Sequence, residues 1–191
     1  MTEFVSVSSL WLPIVVAAIA VFFASFLVWM VLPHHRHDWG TLPDEGGLLE
    51  AMRRAGVKPG QYGFPSCGGD MKKMGDPEFV KKMEAGPVGL MVVGPNGPPR
   101  MGKSLFLWFV YSLVIGVFVA YLAGRLLAPG TGFPTVFRMS ATTAFLAYSM
   151  AILPQAIWKN MSWAMVLKEV ADGLAYGLLT GCAFGAFWPD A

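Results

Sequence analysis

Long apolar stretches without a charged residue dominate the pattern of this chain. The three longest, residues 4–33, 104–124 and 139–158, hold 30, 21 and 20 uncharged positions, and a fourth, 173–189, holds 17. A helix needs roughly 20 apolar residues to cross the hydrocarbon core of a bilayer. The pattern therefore predicts an all-α membrane protein with four transmembrane helices.

The polar residues fall mainly into one segment of 70 positions, 34–103. This segment separates the first two apolar stretches, whereas the later stretches follow one another closely. The predicted organisation is an N-terminal tail with transmembrane helix 1 (1–33), a polar membrane-associated segment (34–103), and transmembrane helices 2, 3 and 4 (104–124, 139–158 and 169–189).

Local signals predict a few short elements inside the polar segment. A short helix closed by Gly56 is expected at 44–55. A second is expected at 76–85, because Asp76 can cap the first N–H groups and Pro77 suits the first helical position. Residues 88–93 form an apolar run typical of a strand, and the Gly- and Pro-rich stretch 58–75 is expected to be loop. These elements have too little core to fold alone, so we expect the segment to lie against the membrane face or a partner.

Composition and charge support a membrane location. Charged residues make up 14% of the chain, against roughly 25% in soluble domains, and the mean hydropathy is +0.54. A net charge of +2 is too small to indicate nucleic-acid binding. The predicted partners are the lipid bilayer and either another membrane protein or further copies of the chain.

The distribution of Lys and Arg predicts the orientation. Four spans place both termini and the 125–138 link on one side, which carries Arg125 and Arg138. The other side carries more basic residues near the span ends, namely Arg36, Arg100, Lys103, Lys159 and Lys168. The positive-inside rule then predicts an inner-membrane protein with both termini outside and residues 34–103 in the cytoplasm.

Glycines recur at a spacing of four in the last apolar stretch. We call this set the glycine face: Gly173, Gly177, Gly181 and Gly185. Residues four apart share one side of a helix, and small residues there allow two membrane helices to pack closely. The face is predicted to pack against another helix, either of the same chain or of another copy.

The three histidines all lie just after the first apolar stretch. His34, His35 and His37 could ligate a metal ion, and Cys67 could complete a nitrogen and sulfur site. The alternative is an interfacial polar cluster that contacts lipid headgroups, because adjacent histidines often cannot reach one ion. The sequence therefore leaves metal binding open at these four residues and predicts no cofactor.

Residues 97–104 match the phosphate-loop pattern GxxxxGK[ST]. Pro98 and Pro99 remove two of the N–H groups that would hold phosphate, and an apolar span follows instead of an amphipathic helix. We therefore expect a basic turn at the membrane edge, without nucleotide binding.

Few ionisable groups lie in the apolar stretches. Asp172 stands at the start of the last one, and Lys168, four residues earlier, is its predicted partner. The spans contain no histidine to hold haem, no proton relay and no set of protease residues. The residues therefore do not predict catalysis.

Several short stretches resemble a group of small bacterial four-span integral membrane proteins that have no assigned activity. The resemblance covers nearly the whole chain and implies a class of protein, but no catalytic residues. It rests on residues 33–38, 42–45, 59–65, 77–79, 86–87, 137–138, 144–148, 157–159, 172–176 and 188–189.

Three functional hypotheses follow from the sequence. The first is a non-enzymatic accessory or scaffold subunit that binds another membrane protein through the glycine face and the polar segment. The second is a small oligomeric channel or transporter. The third is a metal-dependent membrane enzyme that uses His34, His37 and Cys67.

Overall fold

The structure is a computed structural model that describes residues 4–191. The chain forms two compact units. The first contains the chain up to Asp38, Arg100–Ile157 and Met161–Ala191, and the second contains Trp39–Pro99 and Trp158–Asn160. In chain order, the helices and strands are α1 (Trp11–Phe26), α2 (Glu45–Arg54), β1 (Gly60–Phe64), α3 (Pro77–Ala85), β2 (Gly89–Val93), α4 (Met101–Leu126), α5 (Phe133–Ser149), α6 (Leu153–Lys159) and α7 (Trp163–Ala186).

Three helical segments are long and apolar enough to cross a membrane: Val7–Val31, Met101–Leu126 and Phe133–Lys159. The first includes one π-helical turn, Leu27–Val31, after α1, and the third joins α5 to α6 through a 3₁₀ turn. The predictions of a mostly helical fold and of a multi-pass membrane protein are confirmed in this general form. Helix α7 is 24 residues long, but its N-terminal half carries charged residues and it is not among these three.

Three helices begin earlier than the sequence predicted, and α4 is the first, at Met101 rather than at residue 104. The third segment begins at Phe133 rather than at residue 139, and α7 begins at Trp163 rather than at residue 169. A charged residue ends an apolar run, but it does not end a helix, because Arg138, Lys168 and other long charged residues are good helix formers. The charge-free runs therefore missed the parts of these helices that come before Arg138 and Asp172.

The first unit is built from the four long helices. Helix α1 packs against α4 and α7, and α5 packs against the same two helices. The side chains at the centre of this packing are fully buried and mostly branched or aromatic: Leu10, Val21, Val119, Val136, Val166 and Phe184.

Both ends of the described chain meet the short link between α4 and α5. The backbone N–H of Val5 donates to the carbonyl oxygen of Gly124 at 3.0 Å. At the other terminus, the indole N–H of Trp188 donates to Ala128 at 3.0 Å, and Gly130 donates to Pro189 at 2.8 Å. One end of the four-helix unit therefore carries the N-terminal region, the C-terminal region and this link.

The glycine face of α7 lies directly on α5. A Cβ atom added to Gly177 would lie 3.0 Å from the carbonyl oxygen of Ala141, and one added to Gly181 would lie 2.7 Å from the Cβ of Ala141. The outer glycines of the face are next to Ser149 and Phe133, at the two ends of the same helix. Of the two arrangements left open by the sequence, the structure has the one within the chain.

The second unit contains the short elements of the polar segment. Helices α2 and α3 begin as predicted: the Asp44 side chain accepts from the N–H of Gly47, and Asp76 accepts from that of Glu78. None of the residues from 39 to 99 is buried. This agrees with the expectation that the segment lacks a core of its own.

The loop predicted at 58–75 is wrong for residues 60–64. These residues form β1, which pairs antiparallel with β2 so that Gly60 is opposite Val93. Pairing with a strand far along the chain overrides the weak strand preference of a Gly-containing segment. The phosphate-loop pattern thus follows a strand of a two-stranded antiparallel sheet, whereas phosphate loops follow strands of larger sheets.

Gly177→Leu should destabilise the first unit. The new side chain would meet the backbone of α5, which cannot move aside as a flexible side chain can, and overpacking of this kind costs roughly 1–3 kcal/mol. Thermal unfolding in a mild detergent, followed by circular dichroism, measures the effect. The matched control is Gly102→Leu in α4, because a Cβ atom there meets nothing within 4 Å. Equal melting temperatures for the two variants would contradict close packing at Gly177.

Candidate functional site

Five polar side chains converge where the chain leaves the first candidate span. We call them the polar cluster: His34, His35, Asp38, Lys168 and Asp172. A 3₁₀ turn that begins with Pro33 carries the two histidines, and α7 carries Lys168 and Asp172. Residues separated by more than 130 positions are thus brought together by the packing of α1 on α7.

His35 lies at the centre of the polar cluster. Its Nε2 is 2.7 Å from Oδ2 of Asp172, and its Nδ1 is 2.5 Å from Oδ2 of Asp38. The side chain is only 4% exposed. The indole of Trp29 stacks on the imidazole, with 3.9 Å between ring centroids and 2° between ring planes. Two carboxylates and one aromatic ring therefore fix the position of this histidine.

His34 reaches the same carboxylate from a neighbouring position. Its Nε2 is 3.3 Å from Oδ1 of Asp172, and its ring centroid is 4.2 Å from that of His35. The 3₁₀ turn lets both adjacent side chains point to α7, contrary to the expectation that neighbouring histidines diverge. Asp172 consequently accepts from two imidazoles at once.

Lys168 does not pair with Asp172 as the sequence predicted. Its Nζ donates to Oδ1 of Asp38 at 2.5 Å and to the carbonyl oxygen of His34 at 2.6 Å. The spacing along α7 would allow the predicted pair. Asp38, in the segment after the first candidate span, instead supplies a carboxylate for Lys168. The imidazoles of His34 and His35 pair with Asp172.

The charges of the polar cluster shift two pKa values. Burial lowers the pKa of His35, but the hydrogen bonds to Asp38 and Asp172 and the charges of these carboxylates outweigh it, so the pKa is raised overall. The hydrogen bond from Lys168, followed by that from His35, lowers the pKa of Asp38. The two carboxylates therefore favour the protonated form of His35.

A cavity of about 500 Å³ lies next to the polar cluster, between α1, α4, α5 and α7. Its wall is largely aromatic and includes Phe22, Trp29, Trp108, Tyr111, Tyr148 and Tyr176. Glu169 and Asp172 form its polar end. Asp172 thus belongs both to the polar cluster and to the cavity wall.

Some polar groups of the cavity wall are satisfied within the protein, but two are not. The indole N–H of Trp108 donates to Oγ of Ser25 at 2.9 Å, and the hydroxyl of Tyr111 donates to the carbonyl of Ala147 at 3.4 Å. The hydroxyl of Tyr176 is buried and forms no hydrogen bond of good geometry with residues 4–191, although the indole of Trp29 is near it. A buried polar group without a partner costs about 1–3 kcal/mol. A bound molecule that forms a hydrogen bond with this hydroxyl would remove that cost.

Glu169 is the second polar group of the wall that is left over. It is partly buried and forms no ion pair with any residue that the structure describes. It precedes Asp172 by three residues and Tyr176 by seven, so all three lie on one face of α7. The cavity therefore presents a carboxylate and a hydroxyl along a single helix face.

The structure joins only some of the residues that the sequence singled out. The ligating atoms of His34, His35 and Asp172 all lie within 4.8 Å of one another. His37 is exposed, and Cys67 belongs to the second unit, so neither is part of this group.

Sequence reasoning gave no role to Glu169, Tyr176 or the cavity. The available signal was the stripe of polar residues at 168, 169, 172 and 176, which shares a helix face only once α7 is known to begin at Trp163.

Comparison of the chain with protein-family models, with curated proteins and with solved structures gives no match.

Lys168→Met should destabilise the protein. Methionine keeps most of the apolar stem but removes the ammonium group, which leaves the carboxylate of Asp38, only 3% exposed, with one partner fewer. The expected loss is roughly 1–3 kcal/mol, measured by thermal unfolding in detergent. Lys159→Met is the control, because Lys159 is exposed and forms no ion pair within residues 4–191. The ion pair would carry no stability if both variants melted like the unmodified protein.

Proposed function

We propose that this chain is a four-span integral membrane protein that binds a small amphiphilic molecule in its cavity. Helix α7 supports the fourth span, because 24 residues at 1.5 Å per residue give about 36 Å. It also packs against α1 and α5, which both belong to candidate spans. The charged residues in its N-terminal half, Lys168, Glu169 and Asp172, lie beside the polar end of the first span, where an interface would place them.

The proposed orientation is that of an inner-membrane protein with both termini outside and residues 34–103 in the cytoplasm. The contacts of Val5 with Gly124 and of Trp188 with Ala128 support an even number of crossings, because they bring both ends of the chain to the α4–α5 link. The excess of Lys and Arg on the other side supports the direction.

The observation that carries the proposed ligand binding is the buried Tyr176 hydroxyl without a partner in an aromatic cavity. Ligand sites are concave and mostly apolar, with a few polar groups that set orientation, and they enclose about 300–1,000 Å³. The cavity has this size and this wall. A molecule with a polar atom near Tyr176 would satisfy the hydroxyl and bury its own apolar body against the rings.

The wall also indicates the class of ligand. Aromatic rings pack well against a flat or ring-shaped apolar body. A ligand hydroxyl could accept a hydrogen bond from Tyr176 and donate one to Glu169. Lys168, Asp38 and Asp172 are already paired with one another or with histidines. The proposed ligand is therefore an amphiphile with a ring-sized body and a hydroxyl group that meets Tyr176 and Glu169.

The structure removes one of the two supports of the accessory-subunit hypothesis. The glycine face, one of its two proposed partner surfaces, is occupied by α5 of the same chain. A partner protein would need another surface, such as the exposed second unit. The accessory subunit and the channel stay predictions from the sequence. The proposed ligand binding is supported by a defined cavity.

The ligand proposal is tested with 1-naphthol and naphthalene, which share a ring body and differ by the hydroxyl. The protein is placed in lipid nanodiscs and binding is measured by calorimetry, with empty nanodiscs subtracted. We expect 1-naphthol to bind and Tyr176→Phe to weaken it roughly 3- to 10-fold, the value of one hydrogen bond. Naphthalene should bind both proteins alike.

The control for this experiment is Tyr121→Phe, which removes the hydroxyl of an exposed tyrosine on α4. It should bind 1-naphthol as the unmodified protein does. The proposal is rejected if neither compound binds, or if Tyr176→Phe and Tyr121→Phe bind 1-naphthol equally tightly.

The orientation is tested with Cys67 in a Cys182→Ser background. A membrane-impermeant maleimide should label Cys67 in inverted membrane vesicles but not in right-side-out vesicles. A second chain with Ser6→Cys and Cys67→Ser should show the reverse, because Ser6 precedes the first span. Labelling of both cysteines from the same side would contradict the proposed topology.

A further inference from the structure

We propose that His34, His35 and Asp172 bind one first-row divalent metal ion, for which zinc is the representative. Two imidazole nitrogens and one carboxylate oxygen are a ligand set typical of zinc and of other metals in this row. The proposal does not depend on the cavity ligand, because all three metal ligands come from the chain itself.

The donor atoms need little movement to hold an ion. Two ligands about 2.0–2.1 Å from a tetrahedral metal lie about 3.3 Å apart. Nε2 of His34 is already 3.3 Å from Asp172, and Nε2 of His35 is 2.7 Å from it. All three donors lie within 4.8 Å of one another. To bind an ion, the donor atoms therefore have to change their separations by no more than about 1.5 Å.

The groups behind His35 have the arrangement that metal-binding histidines use. A ligating histidine almost always donates its other N–H to a carboxylate or carbonyl, which fixes the tautomer and the ring. Nδ1 of His35 faces the carboxylate of Asp38 at 2.5 Å, and Lys168 holds that carboxylate from its other oxygen. Nε2 is thereby directed to the proposed ion, and Trp29 stacks on the ring to keep its plane.

The local charge also fits a divalent cation. The carboxylates of Asp38 and Asp172 lie within hydrogen-bond distance of His35, and Glu169 shares a helix face with Asp172. Carboxylate groups gathered in this way attract a divalent cation.

The position of Asp172 gives the proposed ion access to the cavity. Three protein ligands leave at least one coordination position free, as in catalytic rather than structural zinc sites. Asp172 lines the cavity, so a molecule in the cavity could approach the free position. The proposed set replaces His37 and Cys67 of the sequence-based hypothesis with Asp172.

The test uses the full chain in nanodiscs, freed of metal with a chelator and then titrated with Co²⁺. Bound Co²⁺ gives visible absorption that reports nitrogen and oxygen ligands, and competition with Zn²⁺ gives the zinc affinity. We expect about one ion per chain and a loss of affinity of at least 10-fold for His34→Ala and for Asp172→Asn. Asp38→Asn should weaken binding roughly 10- to 100-fold without abolishing it, because Asp38 only positions His35.

The chain offers matched controls. His37→Ala removes an exposed histidine two residues from the proposed ligands and should leave Co²⁺ binding unchanged, as should Cys67→Ser. Circular dichroism verifies that each variant is folded, and His34→Gln replaces His34→Ala if the alanine variant is not. The proposal is overturned if the chain binds no Co²⁺ at micromolar concentration, or if His37→Ala loses as much affinity as a folded His34 variant.

Discussion

The packing of the first unit depends on one buried carboxylate, that of Asp172, which needs hydrogen-bond partners. Asp172 is only 8% exposed, and an ionised carboxylate in such surroundings is costly unless it is paired and hydrogen-bonded. The two imidazoles of the His34–His35 turn meet this need, and the turn in turn fixes how far α1 extends along α7. The pairing continues beyond Asp172, because His35 is hydrogen-bonded to Asp38 and Asp38 accepts a hydrogen bond from Lys168. A chain of paired charges thus sets the register of two helices far apart in sequence.

The cavity exists because the helices are packed unevenly. On one side of α7, the glycine face brings the backbone of α5 close and leaves no space. On the side toward α1 and α4, large rings such as Trp29, Trp108 and Tyr176 hold the helices apart. Gly173 takes part in both, since it touches Ser149 and also lines the cavity. Close contact on one face and bulky residues on the other give a membrane bundle an internal space without breaking any helix.

The sequence predicted the features that depend on local patterns. The apolar stretches indicated the helices, Asp76 indicated the start of α3, and the glycine spacing indicated a helix-packing face. It did not predict β1, whose pairing partner is about thirty residues away in the chain. It also assigned Lys168 to Asp172, because only the three-dimensional packing shows that Asp38 is closer. The cavity could not be predicted, since it is defined by four helices whose mutual packing no local pattern describes.

Asp38 has one further property. It is the last residue of the first of the three segments that make up the first unit, and Trp39 begins the second unit. The second unit has no buried residue between 39 and 99. One of its connections to the first unit therefore starts at a residue that Lys168 and His35 hold in place. The backbone that enters the second unit at Trp39 thus follows directly on a side chain held by two partners.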